Sequence, residues 1–365
     1  MYKLDTPSLL LDYQKLLTNI NEMSSFAKEQ GITYRPHIKT HKSIQIAQLQ
    51  MEAGAVGITT AKISEAEVMA AGGIKDILIA YPISSPDKIK RLVKLLEQGV
   101  KVKITVDNKV ALSYLQRELE HTPFTLEVWI KVNSGLNRCG VEPGKEAVIL
   151  AKAIMTYSKL KLGGIFTHAG HSYAAKTMDE IEKIGHHEGL SVVESAEQCE
   201  KEGIRIPVRS VGSTPTYKKA GKVAGVTEIR PGNAVFYDAI QAGLGVTSIE
   251  NCALTLLASV VGVYKDRVIF DTGSKSLCLD KGAHGNQTVT GFGHVMGHPE
   301  IVIERLSEEH GVGDLLQETT LKLNDKVQII PNHAFTMVNQ FDEYVVHENG
   351  RVMDVWKVDG RGMVK

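Results

Sequence analysis

Hydrophobic positions along the first two thirds of the chain fall into two alternating rhythms. Short β-type runs occur at Ile32–Tyr34, Val56–Thr59, Asp76–Ala80, Val102–Val106, Leu126–Val132, Leu162–Thr167, Val208–Val211 and Thr227–Arg230. Amphipathic stretches with apolar residues three and four apart lie between them, the spacing of a helix with one buried face. The stretch after Ser85 has full punctuation. Ser85 offers a cap, Pro86 suits the first turn, and Ile89, Leu92, Val93, Leu95 and Leu96 share a face before Gly99. Regular strand–helix alternation predicts a parallel sheet. Eight such units in about 210 residues predict an α/β fold closed as a (β/α)8 TIM-type barrel. An open doubly wound sheet is the alternative, but no Gly-x-Gly-x-x-Gly turn follows the first strand, which disfavours a dinucleotide site.

The texture changes after about Ala239. Leu254–Tyr264, Arg267–Phe270, Ile301–Ile303, Lys326–Ile330 and Glu343–Val346 are β-type runs, with Asp266-Arg267 as a tight connection between the first two. Long helical patterns are missing from this part. The chain therefore divides into a barrel over 13–240 and a mostly β C-terminal domain over 241–365. Residues 1–12 are candidates to join the latter through the strand-like Ser8–Leu11.

Length supports two cores, because 365 residues exceed what one hydrophobic core usually organises. The 43% hydrophobic and 23% charged content is that of a globular protein, and zero formal net charge argues against a nucleic-acid partner. The basic stretch Lys88–Arg91 reads as the wet face of a helix. No run approaches the roughly 20 apolar residues of a membrane span, and the first residues carry no signal-peptide core. Cys139, Cys199, Cys252 and Cys278 are far apart, which predicts neither a zinc knuckle nor a disulfide framework and fits a reducing cytoplasm.

Barrel enzymes gather their chemistry at the C-terminal ends of the strands. Here those ends read Arg35-Pro36-His37-Ile38-Lys39-Thr40-His41-Lys42, Asn133–Arg138, His168-Ala169-Gly170-His171-Ser172-Tyr173, Gly212-Ser213-Thr214-Pro215-Thr216 and Arg230-Pro231-Gly232-Asn233. The set suits a phosphorylated aldehyde cofactor, pyridoxal 5'-phosphate. Lys39 can form a Schiff base. The Gly212-Ser213-Thr214 turn can offer N–H groups and hydroxyls to a phosphate. Arg138 and Arg230 can meet the phenolic oxygen and the ring nitrogen, and an arginine at the nitrogen keeps the ring a weaker electron sink. His168 and His171 are equally consistent with satisfied hydrogen-bonding groups, and a Gly-Ser-Thr-Pro segment alone is an ordinary turn.

These segments resemble the D-threonine aldolase and eukaryotic-type D-serine dehydratase family, pyridoxal-phosphate enzymes of the alanine-racemase fold. Thr6–Asp12, Asp271-Thr272-Gly273-Ser274-Lys275 and Glu309-His310-Gly311 are similar to it as well. The resemblance implies a homodimer that uses a small D-amino acid, with Lys39 rather than Lys42 as the cofactor lysine. It implies cofactor contacts by Arg138 and Arg230; His168, Tyr173, Gly212, Ser213 and Thr214 are the further candidates to bind the cofactor, and His171 and His333 the candidate acid or base.

The resemblance also implies a divalent metal (zinc, manganese or magnesium) held by a His-x-Cys or His-x-Asp pair. His333 matches the first position, but Phe335 stands at the second and offers an ion no donor. Either another residue supplies the ligand or the metal is lost. Three readings follow. The leading one is a lyase, aldolase or dehydratase, for a β-hydroxy-D-amino acid. The second is an amino-acid racemase or epimerase, and the third is a non-catalytic pyridoxal-phosphate binder.

Overall fold

The computed structural model describes residues 3–282 and 285–365; Met1 and Tyr2 of the predicted 1–12 segment, and Ala283 and His284 of the predicted β domain, lie outside them. Among the described residues the strands form two sheets. The first strand, β1 (Ser8–Asp12), belongs to the second sheet. The chain then runs through α1 (Tyr13–Glu29), whose Asp12 cap accepts a hydrogen bond from the Lys15 N–H, into the first sheet.

That sheet comprises β2 (Thr33–Tyr34), β3 (Ile58–Thr60), β4 (Asp76–Pro82), β5 (Lys101–Val106), β6 (Leu126–Lys131), β7 (Leu160–Phe166), β8 (Val208–Val211) and β9 (Glu228–Ile229). Its order is β2-β9-β8-β7-β6-β5-β4-β3, with every pairing parallel. A bridge between His37 and Thr59 joins the two ends of this path, assisted by hydrogen bonds from Val56 N to Tyr34 O (2.9 Å) and Thr59 N to Pro36 O (2.7 Å). The sheet is thus a closed barrel, as its alternation of strands and helices predicts. β2 and β9 are short because Arg35-Pro36 and Arg230-Pro231 follow them, and proline has no N–H to continue a ladder.

Helices α2 (Ile44–Glu52), α3 (Ile63–Ala71), α4 (Pro86–Glu97), α5 (Lys109–Leu119), α6 (Lys145–Ile154), α7 (Met178–Lys201) and α8 (Tyr217–Ala220) fill the crossovers. In α4 the predicted stripe is buried at Ile89, Leu92 and Leu95, and Gly99 follows with φ +73°, the left-handed geometry of a helix stop. On the barrel strands Arg35, Asp76, Lys103 and Glu228 form an ionic network. Arg35 meets Asp76 at 2.5 Å and Glu228 at 3.0 Å, and Lys103 meets Asp76 at 2.8 Å.

The second sheet takes β1 together with β10 (Leu254–Val263), β11 (Arg267–Phe270), β12 (His294–Val295), β13 (Ile301–Leu306), β14 (Gly311–Leu315), β15 (Lys326–Ile330), β16 (Glu343–Glu348) and β17 (Arg351–Lys357). Leu9, Leu10 and Leu11 of β1 are buried where it lies antiparallel to β10 and parallel to β16. The tight connection differs by one residue from the predicted Asp266-Arg267. Arg267 already begins β11, and the turn closes through Tyr264 N to Arg267 O at 2.8 Å after a bulge at Val260/Gly262 shifts the register. β14 and β17 escape a reading of hydrophobic runs. One contains two glycines, and the other shows most of its side chains to solvent.

Candidate active site

The barrel mouth opens on a cavity of about 820 Å³, closed on its other side by residues of the C-terminal half. Its floor begins with a one-turn 3-10 helix, Ile38–Thr40, just after β2. Ile38 is buried in the core, so the neighbouring Lys39 faces the cavity. The segment is pinned from the C-terminal half of the molecule. The Tyr344 hydroxyl donates to the His41 carbonyl at 2.6 Å, and the Gly360 N–H to the Lys42 carbonyl at 2.8 Å. The two lysines differ in company. Lys42 Nζ is engaged by Glu65 (3.3 Å) and Asn339 (3.1 Å). Lys39 Nζ lies 5.3 Å from the centre of the Phe335 ring. Burial, assisted by the positive charge of Arg138, pulls the Lys39 amine down to about 8.

The opposite wall is the turn after β8. Gly212 allows close approach there: a Cβ would stand 2.7 Å from the Arg230 backbone nitrogen. Ser213, Thr214, Gly232 and Asn233 line the cavity beside it. One buried carboxylate organises this wall. Glu188 of α7 accepts from Ala169 N (3.1 Å), Gly212 N (3.0 Å) and the Thr216 hydroxyl (2.5 Å). Burial nevertheless raises its pKa, against the pull of these donors. The Thr40 hydroxyl and the Asn233 side-chain oxygen are buried without a protein partner among the described residues. A Cβ at Gly232 would lie 3.2 Å from that same Thr40 hydroxyl.

Arg230 is buried and donates to Ser210 and to the Thr167 carbonyl, with its guanidinium 4.8 Å from the Phe166 ring centre. Burial lowers its pKa only to about 10, so it stays cationic at neutral pH. Arg138 is an exposed side chain at the rim. His168 Nδ1 lies 2.6 Å from the Gly212 carbonyl, which fixes Nδ1 as the donor and turns Nε2 to the cavity; burial holds the ring neutral. Burial, assisted by the negative charge of Asp238, keeps the Tyr173 phenol protonated, against the hydrogen bonds of Thr214 and Asn233.

His171 is not brought to this cavity. It occupies the same 3-10 turn as Tyr173, Gly170–Ala174, whose three-residue repeat sets it on a different side from Gly170 and Tyr173. Its ring packs at Gly135, where a Cβ would come within 3.2 Å.

His333 does reach the cavity. It precedes α9 (Ala334–Val338), and its Nδ1 lies 3.1 Å from Oδ2 of the fully buried Asp238. Phe335 packs against its ring with centroids 4.3 Å apart. Among the described residues no group of three or more His, Cys, Asp or Glu side chains could hold a metal ion.

Several members of the site were not singled out from sequence. Lys131 closes β6 and lines the cavity, its amine drawn down to about 8 chiefly by burial. The strand-end rule that selects Lys39 selects it as well. Glu188 had a subtler signal: it falls in the buried series Ile181, Gly185, Glu188, Val192 of α7, where an apolar residue is expected.

Six cationic side chains line the cavity (Lys39, Lys42, Lys62, Lys131, Arg138 and Arg230) against one acid, Glu65. An anionic ligand with a phosphate fits this balance. The unpartnered Asn233 side-chain oxygen and the glycine-lined wall give it a polar contact and room, and Lys39 is an amine that can bind an aldehyde carbon.

Comparison with known proteins agrees in both halves. Residues 11–239 match the alanine racemase N-terminal domain, and residues 253–347 a putative serine dehydratase domain. The chain is 33% identical to the D-threo-3-hydroxyaspartate dehydratase of Delftia sp. strain HT23, over 93% of each chain. It is 32% identical to the 3-hydroxy-D-aspartate aldolase of Paracoccus denitrificans, over 99% of this chain and 93% of that one. The crystal structure of D-threonine aldolase from Filomicrobium marinum superposes with a TM-score of 0.92 at 28% identity, covering 100% and 98% of the two chains.

Proposed function

Because the chain belongs to the D-threonine aldolase and D-serine dehydratase family of the alanine-racemase fold, we propose that it is a pyridoxal-phosphate-dependent lyase for β-hydroxy-D-amino acids. The observation that carries the reading is the Lys39 amine, lowered chiefly by burial, in a cation-rich cavity that it shares with the glycine-lined wall. When bound, the cofactor supplies an aldehyde for covalent capture of an amine and a ring that spreads negative charge from Cα.

The chain's own residues divide the remaining work. Lys39 Nζ would hold the cofactor through its aldehyde, and its amine would move the proton at the substrate's Cα. An amine near 8 is partly neutral at physiological pH, which suits both tasks. Gly212, Ser213 and Thr214 receive the phosphate, their turn fixed by Glu188. Arg230, cationic and already donating to Ser210 and Thr167, would meet the ring nitrogen and keep it unprotonated. Arg138 takes the phenolic oxygen. Tyr173 and His168 hold cofactor and substrate in register. His333 faces the substrate's β-carbon, while His171 acts outside the cavity, by packing.

The dimer and the reducing compartment belong to the same proposal, supported by the family resemblance and by four unpaired cysteines; light scattering tests the dimer. No helix among the described residues is long and apolar enough to cross a membrane. The division near residue 240 is also part of the proposal, with 13–240 as the cofactor half.

Incubation with D-threonine, D-serine and 3-hydroxy-D-aspartate tests the reaction. Glycine plus an aldehyde, or an oxo acid plus ammonia, is the expected product. Racemisation is the second reading, favoured by Phe335 in the place of a donor beside the β-hydroxyl. Loss of optical rotation with no carbonyl product from any of the three substrates decides for it.

A further inference from the structure

We propose that this chain handles the substrate's β-hydroxyl with the His333 imidazole and without a bound divalent ion; the inference rests on the lyase reading. The donor count decides it. His333 presents one nitrogen to the cavity. Two residues on, Phe335 lays an aromatic ring against the imidazole, 4.3 Å between centroids, on the side where a second ligand from the same turn would stand. The nearest carboxylate is turned away from the cavity. Asp238 is wholly buried, and its Oδ1 accepts from Gln241 N at 3.0 Å. Its Oδ2 accepts from Asn233 Nδ2 (2.5 Å), Ala334 N (3.2 Å) and His333 Nδ1 (3.1 Å). Asp280, also beside this helix, accepts from the Thr336 hydroxyl at 3.2 Å and does not line the cavity. A single imidazole binds zinc poorly, and hard ions want carboxylate oxygens.

The Asp238–His333 pair serves a metal ligand and a proton carrier equally well, since in both the carboxylate orients the ring. What separates the two is the second donor, and Phe335 supplies none. With Nδ1–H committed to Asp238, Nε2 is the atom that meets the hydroxyl.

In the aldol branch Nε2 accepts the hydroxyl proton. The O–H pair becomes the second C–O bond, and the Cα–Cβ bond breaks with its pair going to Cα. Lys39 then protonates Cα, and the imidazolium returns its proton to solvent. In the elimination branch Lys39 removes the Cα proton, the protonated Nε2 gives its proton to the departing hydroxyl, and water leaves. Both branches balance: the aldol branch needs no further reactant, and in the elimination branch one water hydrolyses the remaining imine to the oxo acid and ammonia.

The experiment starts from the holoenzyme treated with EDTA and compares divalent metal content and turnover with and without added MnCl2 or ZnCl2. The expected result is below about a tenth of an ion per chain and turnover unchanged within about twofold. His333→Ala lowers kcat about a hundredfold with the cofactor absorbance intact, and free imidazole restores part of it. Calorimetric titration of MnCl2 and ZnCl2 into the chelated protein needs no turnover. Phe335→Cys is expected to bind at least about tenfold tighter than wild type. Wild type binding an ion as tightly as Phe335→Cys overturns the inference. So does wild-type turnover that is lost on chelation and regained with the ion. If no β-hydroxy-D-amino acid is consumed under any condition, the lyase reading falls, while the titration still decides whether an ion is held.

Discussion

Lys39 and Lys131 share one cavity, and each amine is drawn down to about 8 because burial disfavours its charged form. The consequence for Lys39 is directional. Below about pH 8 the free amine is mostly protonated and cannot attack an aldehyde; above it the amine is neutral. Covalent cofactor uptake by the apoprotein, followed by absorbance, is therefore expected to speed up with pH through a midpoint near 8. Linkage has the same sign. Between about 8 and the ordinary lysine value of 10.5 the unfolded chain binds more protons than the folded one, so this group makes stability rise with pH across that window. At neutral pH the buried amine costs stability, and Lys39→Met is expected to stabilise the apoprotein by on the order of 2 kcal/mol in urea denaturation at pH 7. Gly212 makes the opposite case. A methyl group there meets the Arg230 backbone at 2.7 Å. Gly212→Ala is expected to destabilise by about 1–3 kcal/mol and to weaken cofactor affinity at least about tenfold by calorimetry. Both positions were legible in the sequence, because a residue at a strand end carries its function in its own chemistry.

Helix α7 shows how an element couples core to site. Its apolar stripe packs against the barrel, and Glu188 interrupts that stripe to receive three donors, two backbone N–H groups of cavity-lining loops and the Thr216 hydroxyl. Removing the carboxylate strands two buried backbone N–H groups. Glu188→Ala is expected to cost about 3 kcal/mol in chemical denaturation, with cofactor binding weakened in the same variant. The residue was hidden in the sequence because a glutamate in a helix reads as solvated until its partners, 19 to 28 positions away, are brought to it. The strands show the converse. β1 was readable as a partner of the second sheet from Leu9-Leu10-Leu11 alone, whereas β14 carries too little side chain to announce itself.

On the scale of the molecule, the cavity exists only where the two halves meet. The barrel contributes Lys39 and the Gly212-Ser213-Thr214 wall, the C-terminal half contributes His333 and Phe335, and the Tyr344–His41 and Gly360–Lys42 hydrogen bonds hold them in register. Its charge is collective. Six cations face one acid, and Lys62, 4.0 Å above the Tyr81 ring centre, has no acidic partner among the described residues. A cofactor phosphate and one substrate carboxylate leave positive charge over. A β-hydroxy-D-amino acid with a second carboxylate is accordingly expected to show kcat/KM about tenfold above one with a neutral side chain, and Lys62→Met is expected to narrow that ratio. Equal values for the two substrates would count against this charge argument.

Local chemistry and periodicity were enough to read the barrel and the succession of its strands and to single out Lys39 and the Gly212-Ser213-Thr214 turn as candidates, while the missing donor at Phe335 was legible only against the family resemblance. Each depends on a residue and its immediate neighbours in the chain. Tertiary structure alone decided that His171 stays out of the cavity, that Asp238 backs His333, and that Glu188 and Lys131 are buried in or beside the site. Those outcomes depend on desolvation and on hydrogen-bond partners from distant segments, and neither quantity exists until the chain has closed on itself.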